Sequence, residues 1–229
     1  MSRRELYFYE EIMLLALRDR EGTVAANDSS FAFTLGGSFL AELLLMGKVS
    51  VEEVKKKKLI NLENSTPTGD PLLDECLEKL RYAKRRAVLT TWVSRFTRIK
   101  RLRHRAARQL CRRGILRADE GKVLLIFTRK IYPELDPGPE REVVERLRTA
   151  IFTDVQELDP RTVVLVALSD KAGVLKNHFD KKELKARKAR IEKIGEGEVT
   201  AAAVKEVVDA MTAAIAASVA ASAAVSAAT

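Results

Sequence analysis

The chain has 229 residues, 46% of them apolar and only six of them proline, which is enough to bury a core and excludes a disordered polymer. Its two cysteines, Cys76 and Cys111, lack paired or metal-ligand spacing, which excludes a disulfide scaffold or zinc module and reads as two reduced core thiols in an intracellular protein. The formal charge of +9 comes from 41 cations against 32 anions, and it is local. The stretch from Arg95 to Arg117 holds ten Lys or Arg and no carboxylate, and removing those ten from 41 leaves 31 against 32. Such a segment attracts a polyanion: a phosphate, a nucleic-acid backbone or an anionic membrane.

In chain order, Met1 to Arg4 leads into acids and aromatics rather than an apolar leader core, so no secretory leader is expected. Leu6 to Arg20 predicts a helix with Phe8, Ile12 and Leu15 on one face and Tyr9, Met13 and Ala16 beside it, an apolar arc wide enough to be buried. Glu21-Gly22 breaks it, and Asn27 to Ser30 suits a turn and a helix cap. Phe33 to Met46 predicts a second apolar helix ending at Gly47, within which Gly36-Gly37 permits a close approach. Lys48 to Val51 and Lys58 to Leu62 alternate as short strands of a small hairpin, with the Lys55 to Lys58 run as solvated surface. Asp70-Pro71 is an N-cap followed by proline at the first helical position, opening a helix that buries Leu73, Leu77 and Leu80. Val88 to Phe96 brings the only tryptophan, Trp92, into the basic stretch.

There, Ile99, Leu102, Ala106 and Leu110 recur with the period of one helix face, and Arg101, Arg105, Arg108 and Arg112 with that of another, predicting one basic helix ended by a left-handed Gly114. Ile115-Leu116, an Asp119 to Gly121 turn and the apolar run Val123, Leu124, Leu125, Ile126 and Phe127 read as a β-hairpin. Five consecutive apolar residues cannot face one side of a sheet, so the second face meets another subunit, lipid or the protein's own helices. Pro133 to Pro139 is a linker, and Glu140 to Leu158 a helix with Val143, Leu147 and Ile151 in register, ended by Asp159-Pro160. Arg161 to Phe179 is a further helix, and Lys181 to Ile194 a mixed-charge one. Ala210 to Thr229 is uncharged and as long as a membrane span, yet its Ala and Ser supply little transfer free energy. A helix packing Val204, Val208, Met211 and Ile215 on the body is expected there instead.

Little here supports catalysis. No phosphate-binding glycine pattern or metal-ligand cluster stands out, so no cofactor is expected. His104 and His178 are isolated, and Glu10-Glu11 and Glu52-Glu53 diverge on a helix, so no enzyme is expected either. Two binding readings compete for the basic stretch. A basic helix followed by a hairpin is the outline of a winged helix-turn-helix on nucleic acid, but Gln109 alone could read bases there, which disfavours nucleic acid as a partner. Anionic lipid asks for a few cations around a phosphorylated headgroup plus apolar residues entering the interface, and Val123 to Phe127 supply those.

The blocks Leu14 to Gly22 (LLALRDREG), Asn27-Asp28, Ala41 to Val49 (AELLLMGKV), Pro67 to Asp70 with Leu72 to Glu75, Gly114 to Leu116 and Ser169 to Leu175 (SDKAGVL) occur in one order across Leu6 to Met211. In these blocks the chain resembles the Golgi phosphoprotein 3 family of peripheral membrane proteins. The resemblance implies a mainly α fold: a single globular helical domain over residues 1–211 with a packed helical core and a projecting β-hairpin, followed by an Ala-rich extension over 212–229. It also implies a partner lipid, phosphatidylinositol 4-phosphate, and, if the chain is eukaryotic, a place on the cytosolic face of the Golgi with glycosyltransferase tails and a vesicle coat as protein partners. The headgroup cations carry over to Lys100 and Arg103, which one helix would put on one face, with Arg98 and Arg101 as neighbouring candidates. The hairpin carries over to Val123 to Phe127, as a membrane or homo-oligomer contact. Where the family has a tryptophan and a first arginine, this chain has Ala26 and Gly36.

Overall fold

Every side chain of the first helix, α1 (Phe8–Ala16), is buried, because the helices around it cover all of its circumference. The structure is a computed structural model that describes residues 5–18, 23–24, 29–123, 127–198 and, in the tail, 209, 212–213, 215–216, 219–220 and 223. Two short strands, β1 (Leu17–Arg18) and β2 (Thr23–Val24), pair antiparallel before α2 (Ser29–Leu45). Strands β3 (Val49–Val54) and β4 (Lys57–Leu62) then form the expected antiparallel hairpin. The lysine run is partly its turn: Lys55 and Lys56 both take positive φ, 48° and 63°, as a two-residue hairpin connection requires.

Helix α3 (Pro71–Arg81) starts where the sequence places it. The Asp70 carboxylate accepts hydrogen bonds from the N–H groups of Leu72 and Leu73 at 2.9 and 3.0 Å. It also accepts one from the Tyr9 hydroxyl at 2.6 Å, which ties the cap to α1. Burial first, and then Glu10 and Asp70, push the Tyr9 phenol well above its ordinary pKa, so it stays a donor.

The expected single basic helix is two. Helix α4 (Leu89–Thr97) ends at Arg98, helix α5 (Leu102–Arg112) starts after Arg101, and Arg101 sits in the left-handed region at φ 56°. Across the break the backbone bonds run three residues back, Ile99 N–H to Phe96 O at 3.1 Å and Leu102 N–H to Ile99 O at 3.2 Å. That tighter turn buries Phe96, Ile99 and Leu102 in succession while the chain changes direction. A spacing of three suits both geometries, so the periodicity does not reveal the corner. Gly114 does end α5, at φ 72°.

The second hairpin differs in register. Strand β5 (Asp119–Val123) pairs with β6 (Phe127–Ile131) from Asp119 opposite Ile131 to Val123 opposite Phe127. The Asp119 to Gly121 segment is therefore strand, not turn. Val123 is the last residue of one strand and Phe127 the first of the next, so the five-residue apolar run is not a single strand.

Helix α6 (Gly138–Phe152) starts and stops earlier than predicted. Asp159-Pro160 opens the next helix, α7 (Pro160–Ala172), with the Asp159 carboxylate accepting from Thr162 N–H at 2.9 Å. A short 3-10 turn (Leu175–Asn177), α8 (Lys181–Ala186) and α9 (Lys188–Gly195) follow. Helix α1 contacts α2, α5, α6 and α7. The fold is mainly α with antiparallel hairpins. In the tail, Ile215 is buried, while Val204, Val208 and Met211 lie outside the described residues. Among the described residues no helix is long and apolar enough to cross a membrane.

Gly36 faces α4 so closely that an added Cβ would meet the Val93 carbonyl oxygen at 2.8 Å. Alanine in place of glycine within a helix normally gains roughly 0.5 to 1 kcal/mol, but a collision with helical backbone costs about 1 to 3. Gly36→Ala should therefore be destabilised by about 1 to 2 kcal/mol in urea unfolding, whereas an equal or higher midpoint would mean that the two helices can part freely.

Candidate functional site

Charged residues on the buried face of α1 set the positions of the elements that carry the basic surface. Glu10 pairs with Arg113 just beyond α5 at 2.5 Å, and Glu11 pairs with Arg146 of α6 at 2.5 Å. Arg161 of α7 reaches Glu11 at 3.5 Å and Glu42 of α2 at 3.1 Å, and its guanidinium lies 4.3 Å from the Phe8 ring centroid. Glu42 also accepts the Phe8 N–H at 2.7 Å, and Glu5 approaches Arg161 at 3.2 Å. Burial pushes the Glu11 carboxyl up to about 7, against the opposing pull of Arg161 and Arg146. Burial likewise raises Glu42. Burial disfavours the Arg161 charge, but Glu11 and Glu42 outweigh it and hold the guanidinium above its ordinary value. The pair Glu10-Glu11, set aside in the sequence as two diverging carboxylates, thus points one carboxylate at α5 and the other at α6 and α7.

The basic corner lies between α4 and α5. Lys100, Arg101, Arg105, Arg108, Gln109 and Arg112, with Pro71 opposite, line a depression of about 500 Å³. Of its five cations only Arg105 makes an ion pair among the described residues, with Glu75 at 2.5 Å. Helix α5 has no capping side chain and no acid in its first turn, and it opens on Arg101 and Arg103 instead. Cations at a helix N-terminus oppose its macrodipole, so this end lacks the negative charge that would satisfy both.

The four cations expected to surround a headgroup are distributed around this corner. Lys100 and Arg101 line the depression, while Arg103 turns toward α2, its guanidinium 5.5 Å from the Phe31 ring centroid. Lys100 and Arg103 thus flank the helix break and do not share one helical face. Arg98, the last residue of α4's cap, lines a second depression with Arg95. Gly36 packs on Val93, and its surroundings leave no room for the arginine that the family carries there. Ala26 lies outside the described residues, as do Leu124, Leu125 and Ile126, while Val123 and Phe127 close the β5–β6 ladder.

The second depression, about 860 Å³, gathers Lys79, Lys84, Arg85, Arg86, Arg95 and Arg98 beside an exposed Tyr82. The sequence reading passed over it, although five of the eight residues from Lys79 to Arg86 are cationic. Both histidines are engaged: His104 Nδ1 is 3.0 Å from the Tyr132 hydroxyl, and His178 Nε2 is 3.0 Å from the Leu15 carbonyl oxygen.

A mainly α domain built on a buried helix, with an exposed basic corner and antiparallel hairpins, defines the class of protein. The chain belongs to the Golgi phosphoprotein 3 (GPP34) family, whose profile matches residues 8–211. It is similar to vacuolar protein sorting-associated protein 74 of Schizosaccharomyces pombe, 26% identical over 222 residues, covering 83% of this chain and 65% of that protein. The chain therefore spans a little under two thirds of that relative's length.

The buried ion network makes stability depend on pH in a stated direction. Glu11 binds its proton more tightly folded than unfolded, so its stabilising contribution is complete below about pH 4.5 and lost as pH rises through about 7. Thermal unfolding midpoints should fall across that window by this contribution, and the fall should flatten in Glu11→Gln; equal slopes in both proteins would place the titrating group elsewhere.

Proposed function

We propose that this chain is a peripheral membrane protein that docks reversibly on anionic membranes through the α4–α5 corner, and that a phosphoinositide of the phosphatidylinositol 4-phosphate type is its ligand. Lys100 and Arg103 bracket the start of α5, with Arg101 supplying further charge. The observation that carries this reading is the cationic, uncapped N-terminus of α5, where a phosphate relieves both the dipole and the repulsion among the arginines. The run Val123 to Phe127, whose first and last residues pair at the end of the β5–β6 ladder, is the part that enters lipid or joins a second subunit.

Family membership supports a role as an adaptor rather than an enzyme. The names of the family and of the fission-yeast relative, a Golgi phosphoprotein and a sorting-associated protein, support membrane trafficking at the Golgi; in a eukaryotic cell the proposed protein partners are glycosyltransferase tails and a vesicle coat. The nucleic-acid reading gains no support. Asp74, Glu75 and Glu78 lie along α3 between the two basic depressions and would repel a continuous phosphate backbone.

Co-sedimentation with vesicles of phosphatidylcholine alone, with phosphatidylserine, and with phosphatidylinositol 4-phosphate tests this. Each lost charge-assisted contact costs about 1.5 to 3 kcal/mol, so Lys100→Gln/Arg103→Gln should bind phosphoinositide vesicles at least tenfold more weakly. Binding equal to the parent would remove these two residues from the site.

A further inference from the structure

The second basic depression is built from three separate parts of the chain. Lys79 comes from the last turn of α3, Lys84, Arg85 and Arg86 from the loop after it, and Arg95 and Arg98 from the end of α4. Cations at the ends of two helices favour their dipoles, and that accounts for Lys79 and Arg95. It does not account for the loop lysine and arginines added to the same space, because six cations around one depression repel each other.

The depression is also held in shape. Arg86 is bound to Glu52 and, at 2.7 Å, donates to the Asn61 side-chain Oδ1, which fixes the loop to the β3–β4 hairpin. The Ile60 N–H donates to the Ala87 carbonyl at 3.0 Å, fixing it again one residue on. Arg95 lies 4.6 Å from the Trp92 ring centroid. With those two guanidiniums placed, Lys84, Arg85 and Arg98 are exposed and make no ion pair among the described residues. Arginine forks match phosphate oxygens in pairs, and the number of cations calls for an anion of several charges.

This depression is separate from the corner at the start of α5. The first touches Pro71 and the second Lys79 and Tyr82, about 12 and 16 Å further along α3 at the helical rise, while on the opposite wall Arg98 of the second lies two residues before Lys100 of the first. Glu75 lies between them and pairs with one cation of each, Arg105 at 2.5 Å and Lys79 at 3.6 Å. Carboxylates between two positive sites favour two compact anions over one extended polyanion.

We infer that the depression formed by Lys84, Arg85, Arg86, Arg95 and Arg98 is a second, independent binding site for a compact, multiply phosphorylated ligand of the inositol phosphate class, free in solution or as a lipid headgroup. Tyr82, 74% exposed, also lines it, with the Arg81 guanidinium 5.7 Å from its ring centroid.

Calorimetry of the full chain with inositol trisphosphate, and flotation with phosphatidylcholine vesicles with and without phosphatidylinositol bisphosphate, test the site in its two sources. The parent should take up two equivalents, and Lys84→Gln/Arg85→Gln only one, its second affinity falling about tenfold or more for each cation removed. Arg98→Gln, which reaches the same depression from α4, should weaken the same event; both variants alter exposed side chains, and circular dichroism checks their fold. Loss in both assays assigns the free anion and the headgroup alike, and loss on vesicles alone assigns the headgroup. If Lys100→Gln/Arg103→Gln binds as the parent does while Lys84→Gln/Arg85→Gln loses uptake, the second site stands and the corner site falls. Uptake by Lys84→Gln/Arg85→Gln equal to the parent's in both assays overturns the second site.

Discussion

Glu10 and Glu11, inside a helix buried on every side, cannot be left without partners, and their partners come from three other helical segments. Arg113 follows α5, Arg146 lies on α6 and Arg161 on α7, and Arg161 also engages Glu42 of α2. Removing one member of such a pair leaves a buried charge and costs about 3 to 5 kcal/mol, more than most single apolar contacts. The network therefore fixes how α1 sits among its neighbours more strictly than oily packing would, since Leu and Ile tolerate a slide that an ion pair does not. Through Arg113 it also anchors the C-terminal end of α5, so that the basic helix presents its remaining arginines outward.

With one end of α5 held, the other becomes the exposed start of a helix. The three-residue turns from Phe96 to Leu102 bring the chain around while keeping Phe96, Ile99 and Leu102 inside. What stays outside is Arg98, Lys100 and Arg101. Steric burial of three apolar residues thus forces three cations to the surface within one bend, while Arg103, at the first turn of α5, is half-buried against Phe31. Glu75, paired with Arg105 on one side and Lys79 on the other, divides the exposed positive charge into two fields.

Much of this was legible in the residues, in proportion to how local the cause is. Asp70-Pro71 and Gly114 act within a few residues of themselves, and both mark helix ends where expected. Asp159-Pro160 carries the same cap signature as Asp70-Pro71 yet was read as a stop, because the end of α6 at Phe152 leaves no mark as strong. The corner between α4 and α5 was hidden because a spacing of three fits an α-helix and a tight turn equally. The hairpin register was displaced because the apolar run was assigned to one strand, whereas Val123 and Phe127 face each other across two. Glu10 and Glu11 were unreadable as a network, since the arginines that meet them lie about a hundred residues or more away in sequence. Charge located the basic stretch and the family resemblance picked Lys100 and Arg103 within it, but neither gave the direction of the side chains: the two, adjacent by helical spacing, part at the bend.

The central claim, that the bend at residues 98–103 is the membrane-docking element, is tested most directly by hydrogen–deuterium exchange of the full chain with and without phosphatidylinositol 4-phosphate vesicles. Docking at the corner predicts slowed exchange of the backbone amides from Arg98 to Arg105, with α6 and α7 unchanged. Slowed exchange confined to segments away from that bend, or none anywhere while the protein is vesicle-bound, would contradict it.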